Sequence, residues 1–167
     1  MISVQDGIYI SAHCNERNVE MKKIASDLRK IVERVSGKLS RLKPERVAYK
    51  ENPNKWSKKE VLGHLIDSAA NNHQRFVRAC YGAANIFPPY DQNEWVRWGH
   101  YQELDWVELV GLWTAYNRHL SNLIERLSAA ALTAPCNIGK EEPAPLEFVI
   151  KDYLHHLQHH LNQILGS

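Results

Sequence analysis

Histidines near the C-terminus are the residues of this sequence whose type and spacing could do chemistry. Four of the nine histidines lie between residues 155 and 160, where the flanking apolar spacing predicts a helix. Residues four apart on a helix are neighbours, with Cβ atoms about 5–6 Å apart, and neutral imidazoles are common ligands of divalent metal ions. The stretch therefore contains two candidate metal-binding pairs, His156 with His160 and His155 with His159.

The apolar stripe of this helix distinguishes the two pairs. With residues placed ~100° apart around the axis, His160 lies roughly 65° and His156 roughly 105° from the centre of the stripe, whereas His155 and His159 lie ~155° or more away. The stripe consists of Leu146, Val149, Ile150, Tyr153, Leu154, Leu157, Leu161, Ile164 and Leu165. His156 and His160 thus lie on its shoulder, where a ligand pair could face other helices and remain open to solvent. The same placement also suits a half-buried helix edge that uses histidine only for its polarity.

The length and composition of the chain are those of one globular domain. It has 167 residues, of which 44% are hydrophobic and 24% charged, and its formal net charge is +2. It contains no run of about 18 apolar residues that would span a membrane, and its first residues do not resemble a secretory signal. We therefore expect a cytoplasmic protein. The basic residues of the first predicted helix are interspersed with acidic ones, which favours a solvated face over nucleic-acid binding.

Four long helices and no convincing strand pattern predict an all-α fold, namely an up-down four-helix bundle. Apolar residues at alternating spacings of three and four, with Ser57 and Asp105 as N-caps, predict helices over residues 18–42, 57–81, 105–127 and from 145 onward. Residues 1–17 show no clean period. We expect them to form an irregular N-terminal arm, followed by a single bundle domain at residues 18–167.

A long aromatic crossover, about residues 83–103, joins the second and third predicted helices. Connections of this length are unusual in a compact domain and are often functional lids, and aromatic side chains could hold an apolar substrate. Trp95, Trp98 and His100 are therefore candidate substrate-binding residues. The alternative is that the aromatic residues of the crossover only cover one end of the bundle.

The second predicted helix carries polar residues on the side opposite its apolar stripe. His64 and Asp67 fall on this polar side. A solvated helix face would have this pattern, and so would a polar cleft between two helices. Periodicity therefore does not decide whether His64 faces the interior of the bundle.

Short motifs along the chain occur in an order that is characteristic of one family. They are Trp56-Ser57, His64-Leu65-Ile66-Asp67-Ser68, the aromatic crossover, and His156-x-x-x-His160 followed by Gln163-Ile164. Their order and separation resemble the DinB/YfiT-like superfamily over about residues 18–165. Members of that superfamily are four-helix bundles that bind a divalent metal ion through three histidines. The resemblance implies that the ligands here are His64, His156 and His160.

The resemblance also implies an activity. Three neutral imidazoles on one ion leave at least one coordination position open, which is the arrangement of a catalytic site. The resemblance implies that the ion is Zn²⁺ or Ni²⁺, with Fe²⁺ or Mn²⁺ as alternatives. The activity it implies is transfer of a low-molecular-weight, bacillithiol-like thiol to an electrophilic small-molecule substrate. The alternatives are a hydrolase that uses metal-bound water and a non-catalytic metal-binding bundle that associates with a partner.

Two aspartates could orient the ligand imidazoles by accepting hydrogen bonds from them. Asp67 follows His64 by three residues, and Asp152 lies one turn before His156. Taken alone, each would also suit a solvated helix carboxylate. Because bundles of this type often pair, we expect a homodimer.

Overall fold

Helices make up nearly all of the regular structure. The computed structural model describes residues 4–81, 86–139 and 141–166, with side chains from Asn15 onward. The elements are α1 (Val4–Leu39), α2 (Pro44–Ala48), α3 (Lys58–Ala79), α4 (Gln92–Gly99), α5 (Trp106–Glu125), α6 (Ala129–Leu132), β1 (Pro135–Cys136), β2 (Ala144–Pro145) and α7 (Leu146–Leu165). Strands β1 and β2 form a minimal antiparallel pair, and the predicted all-α class is confirmed. No helix in these ranges is long and apolar enough to cross a membrane.

Helix α1 starts earlier than its apolar pattern indicates. The expected irregular arm at residues 1–17 differs from the structure, in which α1 runs without interruption from Val4 to Leu39. The segment from residue 4 to residue 17 contains no proline and a single glycine, Gly7. Once the amphipathic part of α1 is held by packing, helix can propagate into such a segment at little cost, because propagation fixes only one residue for each added hydrogen bond.

Helix α1 packs mainly along α5, and the two run antiparallel. At one end of the pair the indole Nε1 of Trp106 donates a hydrogen bond to the carbonyl of Leu39, at 2.8 Å. Further along, the guanidinium of Arg29 contacts Glu125 at 2.9 Å. Helices α3 and α7 also run antiparallel, because the Lys58 ammonium contacts the Ile164 carbonyl while His64 faces His156. Both pairs, α1 with α5 and α3 with α7, are therefore antiparallel.

Helices α3 and α5 run in the same direction. The Lys59 ammonium, at the start of α3, donates to the Gln102 carbonyl just before α5, at 3.1 Å, and His73 meets Tyr116 further along both helices. A parallel pair requires the chain to return to its starting end before the second helix begins. The long crossover between α3 and α5 makes that return. The four long helices therefore form a bundle, but their directions along the chain are up, down, down and up instead of the alternating up-down order expected from the sequence.

The crossover is fixed to α3 through Tyr101. Its ring covers Gly63, where an added Cβ would lie 2.0 Å from the Tyr101 Cδ2 atom, and its hydroxyl donates a hydrogen bond to the Asp67 carboxylate at 2.5 Å. Only a residue without a Cβ permits this close approach of ring and helix backbone. Helix α4, which is capped by Asp91, lies within the same crossover.

Both predicted helix caps are confirmed. Ser57 and Glu60 form a reciprocal capping box at the start of α3, and Asp105 accepts hydrogen bonds from the backbone of Val107 and Glu108 at the start of α5. These caps satisfy backbone N–H groups that a helix start would otherwise leave without partners. They fix where α3 begins and therefore which of its residues face α7.

Candidate metal centre

Three histidines from α3 and α7 meet on one side of the bundle. Because the two helices are antiparallel, His64 of α3 lies opposite His156 and His160, which are adjacent on one face of α7. The ring centroids are 5.0 Å apart for His64 and His156, 4.9 Å for His64 and His160, and 4.6 Å for His156 and His160. One ring nitrogen from each lies within 4.8 Å of the other two. We call these residues the three-His cluster.

The histidines of α3 and α7 differ in how much of each side chain is buried. The side chain of His64 is almost fully buried, with 1% exposed, and the ring of Trp56 lies 5.0 Å from its ring. The polar side of α3 is therefore a cleft between helices, which the sequence pattern had left open. On α7, His156 and His160 are half-buried, whereas His155 and His159 are exposed, as the apolar stripe predicts.

One pair of ring nitrogens, hydrogen bonded to each other in this structure, has the spacing of two ligands on a shared ion. The Nε2 atoms of His64 and His156 are 3.0 Å apart. Two nitrogen ligands ~2.1 Å from one ion lie ~3.0 Å apart at an octahedral angle and ~3.4 Å apart at a tetrahedral angle. Among the residues that the structure describes, no cysteine, carboxylate or further histidine joins the cluster. A metal ion held here would have three protein ligands and open positions.

Gln163 fixes the orientation of one of these rings. Its Oε1 atom lies 3.0 Å from Nδ1 of His160, so Nδ1 donates the proton and the Nε2 lone pair is left for a metal ion. The sequence motif that suggested the family contains Gln163, but sequence reasoning assigned it no role. The signal was its position three residues after His160, which places an amide oxygen beside the ring.

The cluster holds its imidazoles in the neutral form. Burial, followed by repulsion from the other two rings, lowers the pKa of His64 to about 3. Burial, followed by repulsion from His160, lowers the pKa of His156 to about 4, although Asp152 acts in the opposite direction. Burial also lowers the pKa of His160, although the hydrogen bond that His160 donates to Gln163 acts in the opposite direction. At neutral pH the rings therefore keep the lone pairs that bind a metal ion.

Neither of the two aspartates hydrogen bonds to a ligand imidazole within the described ranges. Asp67 is buried and accepts its hydrogen bond from Tyr101; burial raises its pKa, and that hydrogen bond opposes the rise. Its second carboxylate oxygen has no partner, and neither has Nδ1 of His64 or of His156. Asp152 is exposed and acts on His156 only through its charge. The orienting role expected for both aspartates stays a prediction.

The candidate substrate-binding residues of the crossover lie in two different surroundings. Trp95 and Trp98 line a cavity of about 420 Å³ together with Asp67. His100 is the C-cap of α4 in a left-handed conformation, with φ of 48°, and its Nδ1 contacts Glu103 at 3.3 Å. His100 is exposed. It does not line the cavity of the two tryptophans or either of the two cavities near the three-His cluster.

Two further cavities lie near the three-His cluster. One of about 220 Å³ is lined by His64 and His156 on the side towards Arg75. The other, of about 810 Å³, is lined by Trp56 and Gln163, which contact His64 and His160, but by none of the three histidines themselves. The cluster therefore opens directly into the smaller cavity, and the larger one lies beside it.

A family model for the DinB superfamily matches residues 27–164. The chain therefore belongs to the DinB superfamily. Its fold is similar to that of YfiT from Bacillus subtilis, described as "a probable metal-dependent hydrolase with an unusual four-helix bundle topology", with a TM-score of 0.75, 17% sequence identity and coverage of 90% of this chain and 85% of that one. No curated protein matches the chain.

Proposed function

We propose that this chain is a metal-dependent enzyme in which His64, His156 and His160 hold a divalent ion. The observation that carries the proposal is the convergence of three neutral imidazoles with no fourth protein ligand among the described residues. Such an ion, Zn²⁺ or Ni²⁺ before Fe²⁺ or Mn²⁺, would supply Lewis acidity that acidifies a bound thiol or water. The open side would admit a small-molecule substrate.

The nucleophile that we propose is a low-molecular-weight thiol of the bacillithiol kind. The smaller cavity is lined by His64 and His156, and the larger one lies beside them at Trp56 and Gln163, so that each would receive one of two reactants. The larger cavity carries three cations, Arg46, Lys55 and Lys58, and one carboxylate, Glu51, and this positive excess suits an anionic co-substrate. The two cysteines whose side chains are described do not compete for the role, because burial raises the pKa of both thiols, Cys80 and Cys136.

Hydrolysis is the second candidate function. It is supported by the description of YfiT, whose fold this chain shares. In a hydrolase the same open positions would serve water instead of a thiol, and the substrate would be an ester or amide rather than an alkylating electrophile. The neutral histidines are equally suited to both reactions, so the choice depends on the reactants that the cavities accept.

The two reactions are separated by assaying one metal-loaded protein on two substrates. Monochlorobimane with bacillithiol, glutathione or 2-mercaptoethanol reports thiol transfer: the sulfur bonds to the electrophilic carbon, chloride leaves with its bonding pair, and the thiol proton passes to the buffer. p-Nitrophenyl acetate without thiol reports hydrolysis. We expect metal-dependent acceleration of thiol transfer, lost in His156→Ala and retained in His155→Ala, which removes an exposed ring from the same helix.

The assay can overturn each part of the proposal. Acceleration of ester cleavage alone would replace thiol transfer by hydrolysis. Acceleration of neither reaction by protein that carries stoichiometric metal would favour a non-catalytic bundle whose role is association. Equal rates for His156→Ala and the wild type would remove the three-His cluster from the mechanism.

A further inference from the structure

The smaller cavity beside the three-His cluster contains a cation that the proposed chemistry does not use. The cavity has a volume of about 220 Å³, and besides His64 and His156 its lining includes Asn72, Arg75 and Tyr90. This is the volume of about seven water molecules. It would accommodate a small molecule but not a macromolecular segment.

The helix geometry of α3 places Arg75 over the cavity. His64, Ser68, Asn72 and Arg75 follow one another at spacings of four, four and three, which keeps them on one face of the helix. Long side chains on a helix point back towards its N-terminus. Accordingly, Nη1 of Arg75 donates a hydrogen bond to Oδ1 of Asn72 at 3.3 Å, so the guanidinium is directed towards the histidines.

The charge of Arg75 has no direct counterion. Within the described part of the chain no carboxylate lies at ion-pair distance from it, and its hydrogen-bond partner Asn72 is neutral. Burial lowers the pKa of its guanidinium, and the nearby Tyr90 and Asp152 act in the opposite direction. A half-buried guanidinium with no carboxylate at ion-pair distance is costly unless a ligand supplies the negative charge.

We propose that this cavity binds a small monocarboxylate substrate, whose carboxylate pairs with Arg75 while its reactive end lies at the three-His cluster. A guanidinium offers two parallel N–H donors that match the two oxygens of a carboxylate. Asp152 also lines the cavity, and because its charge repels a dianion about twice as strongly as a monoanion, it favours a monocarboxylate over phosphate. Because the reactive end is placed at the metal ligands, the inference rests on the proposed function.

A pair of probes that differ only in one end group tests the inference. 6-Mercaptohexanoate and 6-mercaptohexanol share a six-carbon chain, whose length suits the ~12 Å rise between His64 and Asn72, the contact of Arg75. Calorimetric titration of Co²⁺-loaded protein gives the affinity of each probe, and the visible spectrum of the Co²⁺ reports whether the thiol reaches the metal. The variants are Arg75→Gln, Arg75→Lys, and Arg118→Gln as a control that removes the same charge from an exposed position on α5.

We expect the wild type and Arg118→Gln to bind the carboxylate about ten- to a hundredfold more tightly than the alcohol. Arg75→Gln should bind both probes equally, and Arg75→Lys should retain part of the preference. Equal affinities in the wild type, no measurable heat from either probe, or a preference that survives in Arg75→Gln would overturn the inference. A carboxylate preference that depends on Arg75 without any change in the Co²⁺ spectrum would support the pocket while counting against thiol transfer.

Discussion

Helix α3 carries two histidine clusters that look alike in ring spacing. Towards its N-terminal end His64 faces His156 and His160, and towards its C-terminal end His73 lies 5.0 Å from His119 and 5.7 Å from Tyr116, measured between ring centroids. We call this second group the His73 cluster. Its ring distances match those of the three-His cluster, so proximity alone does not distinguish a metal centre from a helix contact.

The two clusters differ in what the ring nitrogens face. Nδ1 of His73 lies 3.2 Å from the Tyr116 hydroxyl, and His119 is exposed. The three-His cluster instead has a buried ring, a third imidazole and a cavity beside it. The comparison teaches that a candidate centre is defined by three neutral imidazoles whose ring nitrogens converge in a partly desolvated place.

The largest expected difference is in metal content. His64→Ala or His156→Ala removes one of three ligands and should weaken metal affinity by more than the roughly hundredfold that loss of an orienting group can cost. His73→Ala should retain about one ion per chain. Elemental analysis of untagged protein, after addition of Zn²⁺ or Ni²⁺ and gel filtration, measures both. Metal lost from His73→Ala and kept by His64→Ala would reverse the assignment of the two clusters.

Alanine in place of glycine should have opposite effects on the helices that carry the clusters. In Gly63→Ala the new Cβ would collide with the ring of Tyr101, and we expect a loss of about 3 kcal/mol in the free energy of unfolding. Gly111→Ala, on α5, meets open space and should gain up to about 1 kcal/mol from helix propensity. Urea unfolding of metal-free protein at pH 7 compares them. Similar effects of the two substitutions would show that Tyr101 does not pack tightly against α3.

A smaller change should follow from Gln163→Leu. Loss of the oxygen that orients His160 should reduce metal affinity about 10–100-fold without removing a ligand, while Gln158→Leu, an exposed position on the same helix, should leave it unchanged. Competition against a chromophoric chelator measures both constants. If the two variants have the same affinity, the hydrogen bond at His160 does not contribute to metal binding.

The last prediction concerns pH and the metal-free protein. The pKa values of His64 and His156 in the folded chain, about 3 and about 4, lie below the ordinary value of 6.5. Below pH 6.5 the unfolded chain therefore binds protons that the folded chain does not, and stability falls as the pH decreases from about 6.5 towards 4.

Substitutions test whether the three-His cluster or the His73 cluster causes this loss of stability at low pH. The double variant His64→Gln, His156→Gln should lose less stability between pH 7 and pH 5 than the wild type, as measured by urea midpoints in the presence of a chelator. His73→Gln should change the decline less, although burial and then His119 lower the pKa of His73 as well. Asp67 is common to all three proteins, so its own titration cancels. A steeper decline in the double variant would contradict the pKa directions given above.

The sequence predicts those parts of the site that depend on a single helix, namely the ligand pair on α7. The apolar stripe of α7 separates His156 and His160 from His155 and His159, because the stripe and the ligands share one periodicity. His64 came only from the family resemblance. The polar side of a helix has the same sequence pattern whether it faces water or another helix. Only the packing of α3 against α7 shows that His64 is buried.

Other features depend on contacts between segments that are distant in sequence. The placement of Tyr101 on Gly63 determines how the crossover lies on α3, and no local pattern indicates which aromatic residue will meet which glycine. The position of Arg75 over the cavity likewise depends on α7 and on Tyr90. The helical start at Val4 lies in a segment without hydrophobic periodicity, where tertiary packing of the rest of α1 overrides the weak local signal.

The antiparallel meeting of α3 with α7 has a consequence for the order in which the protein is assembled. His64 and His156 are 92 residues apart in sequence, so the unfolded chain offers an ion only the local pair on α7 and gains the third ligand when the bundle closes. An ion that binds the closed chain more tightly shifts the folding equilibrium towards it by mass action. An ion at the proposed centre would therefore link α3 to α7. Metal binding would stabilise the docked position of α7, and the docking of α7 would in turn raise the affinity for the metal ion.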